Sequence, residues 1–114
     1  MLIVFKTSNE QRRAAFSPYY FSAPFMRFKM IQKTLLAFSD PTRREILRML
    51  KKSARTVGEI SERFDISIPA ISRHLAVLKD AELVIAQREG KYIRYSLRNE
   101  KIEDMIELLK EYLR

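Results

Sequence analysis

The stretch SIPAISRHL at 67–75 places Ser72, Arg73 and His74 in succession, and three more cations, Arg88, Lys91 and Arg94, surround Glu89-Gly90. An arginine on a helix beside small residues is suited to base edges. Its guanidinium offers paired donors to guanine, and Ala70 and Ser72 let the helix lie close. Cations projecting from a hairpin tip are suited to phosphate oxygens. Other chemistries are poorly supplied. With no Cys and a single His, the chain lacks ligands for disulfides, thiolate catalysis, zinc knuckles and iron–sulfur clusters, so a metal site would need carboxylates. No Gly-rich phosphate loop or Ser-His-Asp set accompanies that His, so no catalytic residue, enzyme activity or cofactor is expected.

The chain that must position these groups has 114 residues and is 46% hydrophobic and 32% charged, sufficient for one helix-rich domain with a modest core. Its net charge of +8 favours a polyanion. Residues 1–30 hold five basic and one acidic side chain, and residues 31–80 hold ten and six. Residues 81–99 hold four and two, whereas 100–114 reverse the sign with three and five. The C-terminal end is therefore expected to lie away from a polyanion.

Residues 1–29 form an N-terminal extension, carrying seven of the twelve Phe and Tyr without a clean period. It reads either as a loosely ordered tail or as sequence upstream of a start at Met26 or Met30. The apolar run Met1–Phe5 is too short for a signal core or a membrane span, so a cytoplasmic protein without stable membrane insertion is expected. Pro24, in a first helical turn after Ser22, can open a helix running toward Phe38.

Residues 30–114 are punctuated regularly. Ser39-Asp40-Pro41 caps a helix reaching about Lys52, with Ile46, Leu47, Met49 and Leu50 inward and Arg43, Arg44, Arg48, Lys51 and Lys52 in water. Thr56-Val-Gly-Glu59 matches a capping box and starts a short helix to Phe64, with Ile60 and Phe64 inward. Asp65-Ile66-Ser67 is a tight connector, and Ser67 caps a further helix to about Asp80 whose first turn tolerates Pro69. Two short helices so joined have the form of a helix-turn-helix. At 100° per residue, Ile68, Ile71, Leu75 and Leu78 fall within about 80° and face the core, opposite Pro69, Arg73 and Ala76. Ala70 and Val77 flank the outward side, and His74 lies near the core edge, either donating to a phosphate or satisfying a backbone group. Ser67 is first a cap, although the amides beside it also favour anions.

Leu83–Arg88 and Lys91–Leu97 bracket a Glu89-Gly90 turn, which pairs 86 with 93 and 84 with 95. Val84, Ala86, Ile93 and Tyr95 then share one face, and Ile85, Gln87, Tyr92 and Arg94 the other. Arg88 and Lys91 project from the tip with Arg94 behind them. Glu100–Arg114 is a helix with Ile102, Met105, Ile106, Leu109 and Leu113 on one stripe, widened by Leu108 and Tyr112; it either packs on the core or pairs with a second copy.

The strings LLAFSDPTRREILRML, TVGEISERFDISIPAISRHLAVLKDAELV and REGKYIRYSL resemble the ArsR family of winged helix-turn-helix repressors over about residues 31–114. SDPTRR, ISRHL and the EGK turn are most similar to its metal-independent, SdpR-like branch. The resemblance implies a mainly α fold with a small β-hairpin, five helices and a two-stranded wing. It also implies a homodimer joined through the first and last helices, which assigns Ile31, Leu35, Ile102, Met105, Ile106, Leu109 and Leu113 to dimerisation. Two recognition helices would then occupy successive major grooves of a palindromic operator on double-stranded DNA. The DNA-facing set is Thr56, Ser67, Pro69, Ala70, Ser72, Arg73 and His74, with Arg88, Lys91 and Arg94 from the wing. The Cys pair and the last-helix His ligands of metal-sensing members are absent, so the resemblance implies no metal site and leaves release to a protein partner, to protein concentration or to a small molecule. The alternative is a winged-helix protein-interaction module acting through the aromatic N-terminal segment and the apolar last helix.

Overall fold

The computed structural model describes residues 23–113. Residues 1–22 and Arg114, and with them most of the aromatic extension, lie outside the described residues. Two units divide the chain, Met1–Met30 and Ile31–Arg114. The elements in order are α1 (Ala23–Phe38), α2 (Pro41–Lys52), β1 (Arg55–Thr56), α3 (Val57–Ser61), α4 (Ile68–Asp80), β2 (Val84–Glu89), β3 (Tyr92–Leu97) and α5 (Glu100–Lys110), followed by a 3₁₀ turn at Glu111–Leu113. The architecture is mainly helical with a small antiparallel sheet.

Local chemistry sets most boundaries. The Asp40 carboxylate accepts from the Arg43 amide at 3.0 Å, and Pro41 occupies the first turn of α2. Thr56 and Glu59 form the reciprocal capping box, at 3.3 Å from the Glu59 amide to the Thr56 hydroxyl and 2.8 Å from the Thr56 amide to the Glu59 carboxylate. The Ser67 hydroxyl accepts from Ala70 at 3.2 Å. At its other end α4 closes in a Schellman motif. The Glu82 amide donates to the Lys79 carbonyl and the Leu83 amide to the Leu78 carbonyl, both at 2.9 Å, and the Leu78 and Leu83 side chains are fully buried.

The core gathers Ile46, Leu47, Met49 and Leu50 of α2, Ile60 of α3, Ile71, Leu75 and Leu78 of α4, and Ala81, Leu83 and Val84 beyond it, with Ala37 of α1. Phe64, Tyr95, Leu97 and Ile102 pack against it from the side.

Several expectations are corrected. The sheet has three strands in the order β1-β3-β2, because Arg55 and Thr56 pair with Tyr95 and Arg94. Such a two-residue strand leaves no period to detect. The hairpin register is shifted by two: Ala86 faces Tyr95, Val84 faces Leu97, and Arg88 faces Ile93. Glu89, expected in the turn, instead pairs with Tyr92, so the turn residues are Gly90 and Lys91, with Gly90 supplying the positive φ of 62°. A shift of two preserves which side chains share a face. The regular part of α3 ends at Ser61, after which tight bonds from Arg63 to Ile60 and from Phe64 to Ser61 carry the chain around and bring Phe64 against the core. Ile68, assigned to the core stripe, is 54% exposed because it occupies the first turn of α4, outside the packed part of the helix.

Arg43 and Arg44 do not remain in water. Arg43 donates to the Ala37 and Leu36 carbonyls at 2.9 and 3.1 Å, and Arg44 donates to the Phe38 carbonyl at 2.6 Å. These are carbonyls that the end of α1 leaves without helical partners, which draws guanidinium groups back onto them.

Candidate nucleic-acid interface

Helix α4 owes its placement to its inner face. Ile71, Leu75 and Leu78 are buried, so the remaining circumference, with Pro69, Ser72, Arg73, Ala76 and Val77, faces out. Arg73 is exposed and has no hydrogen bond or ion pair among the described residues. Its donors are therefore available to an external acceptor, and the short side chains of Ser72 and Ala76 beside it do not obstruct one. Ala70 is half-buried. Ser67 combines its capping role with exposure at the helix N-terminus, where the amides favour an anion.

His74 sits elsewhere. Its ring is largely covered, with Nδ1 3.2 Å from Arg43 NH1 and 3.9 Å from the Asp40 carboxylate. Its partners are side chains at the α1–α2 junction, Arg43 and Asp40, and not a backbone group. Thr56 is likewise engaged in its capping box and half-buried.

On the hairpin, Arg88 and Lys91 are exposed, and Lys91 Nζ lies 5.8 Å from the Tyr92 ring centroid, within cation–π range. Tyr92 was assigned only to a strand face, yet this exposed aromatic beside the tip lysine extends the surface; its adjacency to Lys91 was the available signal. Arg94 is held internally: it bonds the Glu89 carboxylate at 3.0 Å and the Ala54 carbonyl at 3.3 Å, and it lies 3.6 Å from Glu59. Its bond and ion pair with Glu89 hold its pKa above the usual arginine value, and Glu59 adds to this. The Glu59 carboxyl is held below its usual range chiefly by the Thr56 amide and then by the Arg94 charge. Arg94 thus ties β3 to the start of α3 and does not project freely. Sequence reasoning also missed Arg43, which connects the end of α1 to α4 through His74 and had read as one of several wet cations.

The residues assigned to dimerisation divide into two groups. Ile31 is 5% exposed and Ile102 packs against the core, so both are covered within the chain. Leu35, Ile106, Leu109 and Leu113 are exposed, with Leu36 and Tyr112 beside them in sequence, and Met105 is half-buried. Among the described residues, no group of three or more His, Asp or Glu gathers in metal-holding geometry, and no helix is long and apolar enough to cross a membrane.

The family model for the bacterial regulatory protein, arsR family, matches residues 40–86, the span from the α2 cap into β2. The transcriptional repressor SdpR of Bacillus subtilis is 46% identical over 77 residues, covering 68% of this chain and 86% of that protein. The chain belongs to the ArsR family. A second relative, the transcriptional activator HlyU of Vibrio cholerae, is 35% identical over 99 residues, which span 81% of this chain and 91% of HlyU. The solved structure of HlyU from Vibrio cholerae superposes with a TM-score of 0.61 at 34% identity, over 75% of this chain and 95% of that one. A crystal structure of another ArsR family transcriptional regulator gives a TM-score of 0.71 at 25% identity, over 75% and 88%. As an ArsR-family winged helix-turn-helix, the chain is a DNA-binding transcriptional regulator and not an enzyme. Its α3–α4 pair is the helix-turn-helix and its hairpin is the wing.

Proposed function

We propose that this ArsR-family regulator is a repressor that binds an inverted-repeat operator as a homodimer, reads base edges with α4 and takes no metal signal through thiolate ligands. One observation supports the reading above all: the buried row Ile71, Leu75, Leu78 fixes the rotation of α4 so that Pro69, Ser72 and the unpaired Arg73 face outward. Arg88 and Lys91 on the wing serve the phosphate backbone, and the N-terminus of α4 at Ser67 serves another phosphate. The similarity to SdpR, named a repressor, favours repression over activation. The exposed apolar row on α5, with Leu35 of α1, is the surface a second copy would cover. The absence of Cys removes the ligands a soft metal requires, and release would then fall to a protein partner or a small molecule.

The test is selection of bound duplexes from a random pool by the purified protein and by Arg73→Ala. The expected result is enrichment of an inverted repeat with half-sites about one helical turn apart, lost in the variant. Salt-sensitive binding without enrichment would overturn sequence-specific reading. Sedimentation of the protein beside an Ile106→Glu, Leu109→Glu variant tests the assembly: a dimer that the variant splits is expected, and a monomeric parent protein would refute it.

A further inference from the structure

Apart from the groove-facing helix and the wing, a second cationic site lies at the junction of α2, β1 and the turn after α3. A cavity of about 150 Å³ there is lined by Glu45, Arg48, Met49, Lys52, Arg55 and Arg63. Four of these six side chains are cationic and one is acidic. Met49 is 2% exposed and supplies an apolar floor. Glu45 is partly neutralised at the rim by Arg48, 3.0 Å away. The side chains of Lys52 and Arg63 make no hydrogen bond or ion pair among the described residues. The Nε of Arg55 is fully buried without a hydrogen-bond partner. A charged donor in that position is costly to leave unmatched, and four cations against the single Glu45 carboxylate leave the concavity with an excess of positive charge.

We propose that this cavity binds the phosphate group of a small phosphorylated molecule. A tetrahedral oxyanion offers several acceptors at once, which matches guanidinium forks at Arg55 and Arg63 and the point charge of Lys52. No residue of α4, β2 or the wing tip lines the cavity, so it lies apart from the elements proposed to face DNA. Its position also gives it leverage. Arg55 directly precedes the N-cap of α3, Arg63 follows the end of α3, and Arg48 and Lys52 belong to α2. A bound phosphate therefore ties both ends of the first helix of the helix-turn-helix to α2 and stabilises the base from which α4 is presented. That coupling rests on the DNA-binding role proposed above, whereas the site itself does not.

Inorganic phosphate is the probe. The full chain is titrated with it in phosphate-free buffer at constant ionic strength, with chloride as the control, and read by calorimetry and thermal midpoint. Saturable heat and a rising midpoint are expected with phosphate alone, and Lys52→Ala and Arg63→Ala should each weaken the apparent affinity about tenfold or more, the loss of one charge-assisted bond. Both side chains are exposed, so neither variant threatens folding. No response beyond chloride, or an undiminished response in the double variant, overturns the proposal. In phosphate-free buffer the double variant should bind duplex DNA like the parent protein; a drop of about tenfold would assign these cations to the DNA backbone and overturn a free-phosphate site. The phosphate titration requires no operator, so its failure and that of the DNA-reading proposal are separable.

Discussion

Arg43 of α2 donates from NH1 to Nδ1 of His74 on α4 across 3.2 Å, while its Nε and NH2 hold the Ala37 and Leu36 carbonyls at the end of α1. Arginine has no acceptor, so Nδ1 of His74 is the accepting atom in this bond. One guanidinium therefore joins three helices at their junction.

Arg43→Ala should destabilise the fold by about 1–3 kcal/mol, since it removes charge-assisted bonds to two carbonyls and one ring. In a double-mutant cycle with His74→Ala, urea unfolding should show a coupling of about 0.5 kcal/mol or more, because the two residues share a bond. Additive effects would show that the contact carries no energy.

The cations proposed to face DNA should separate by role. Arg73→Ala is expected to cost about 1–3 kcal/mol on a selected site and to relax base preference, whereas Lys91→Ala should weaken selected and random duplexes alike. If each protomer of a dimer neutralises about four phosphates, log K against log salt should fall with a slope of roughly −7. Fluorescence titrations on both duplexes at several salt concentrations would check this, and equal losses from both variants on both duplexes would contradict the division.

Asp40 links capping to pH. Its carboxyl is held below the usual aspartate value chiefly by the Arg43 amide, and burial opposes that effect while the Arg43 charge and the Thr42 amide reinforce it. The pKa is lower in the folded than in the unfolded state, so this stabilisation is complete above the unfolded value and is lost as pH falls through the folded one. Unfolding free energy should therefore decline from about pH 5 downward, and less steeply in Asp40→Asn, which keeps an acceptor at the cap without titrating. Asp40→Ala should cost about 1 kcal/mol at neutral pH.

Glu82 occupies the left-handed position of the α4 Schellman motif at φ 59°, where glycine is ordinarily favoured. Its ion pair with Arg98 is long, at 3.6 Å, and each side chain is 38% exposed. Glu82→Gly should raise stability by about 0.5–1 kcal/mol, as relief of backbone strain exceeds the loss of a surface pair. A lower thermal midpoint would show that the pair outweighs the strain.

The helices and their caps were legible because their causes are local. Asp40, Thr56 and Ser67 each satisfy an amide three residues along, and the stripe Ile46, Leu47, Met49, Leu50 repeats within two turns of α2. The outward direction of Arg73 followed from the same periodicity. The sequence by itself thus determined the helix-turn-helix, the hairpin faces and the family. Tertiary structure decided what depends on partners far along the chain. Arg94 finds the Ala54 carbonyl forty residues away, and His74 finds Arg43 thirty-one residues away. The two-residue strand β1 exists only because β3 offers it an edge, and the hairpin register was set by where Glu89 and Tyr92 could still pair. Periodicity assigns a side chain to a face, but whether an arginine on that face meets water or a carbonyl depends on which element the fold brings against it.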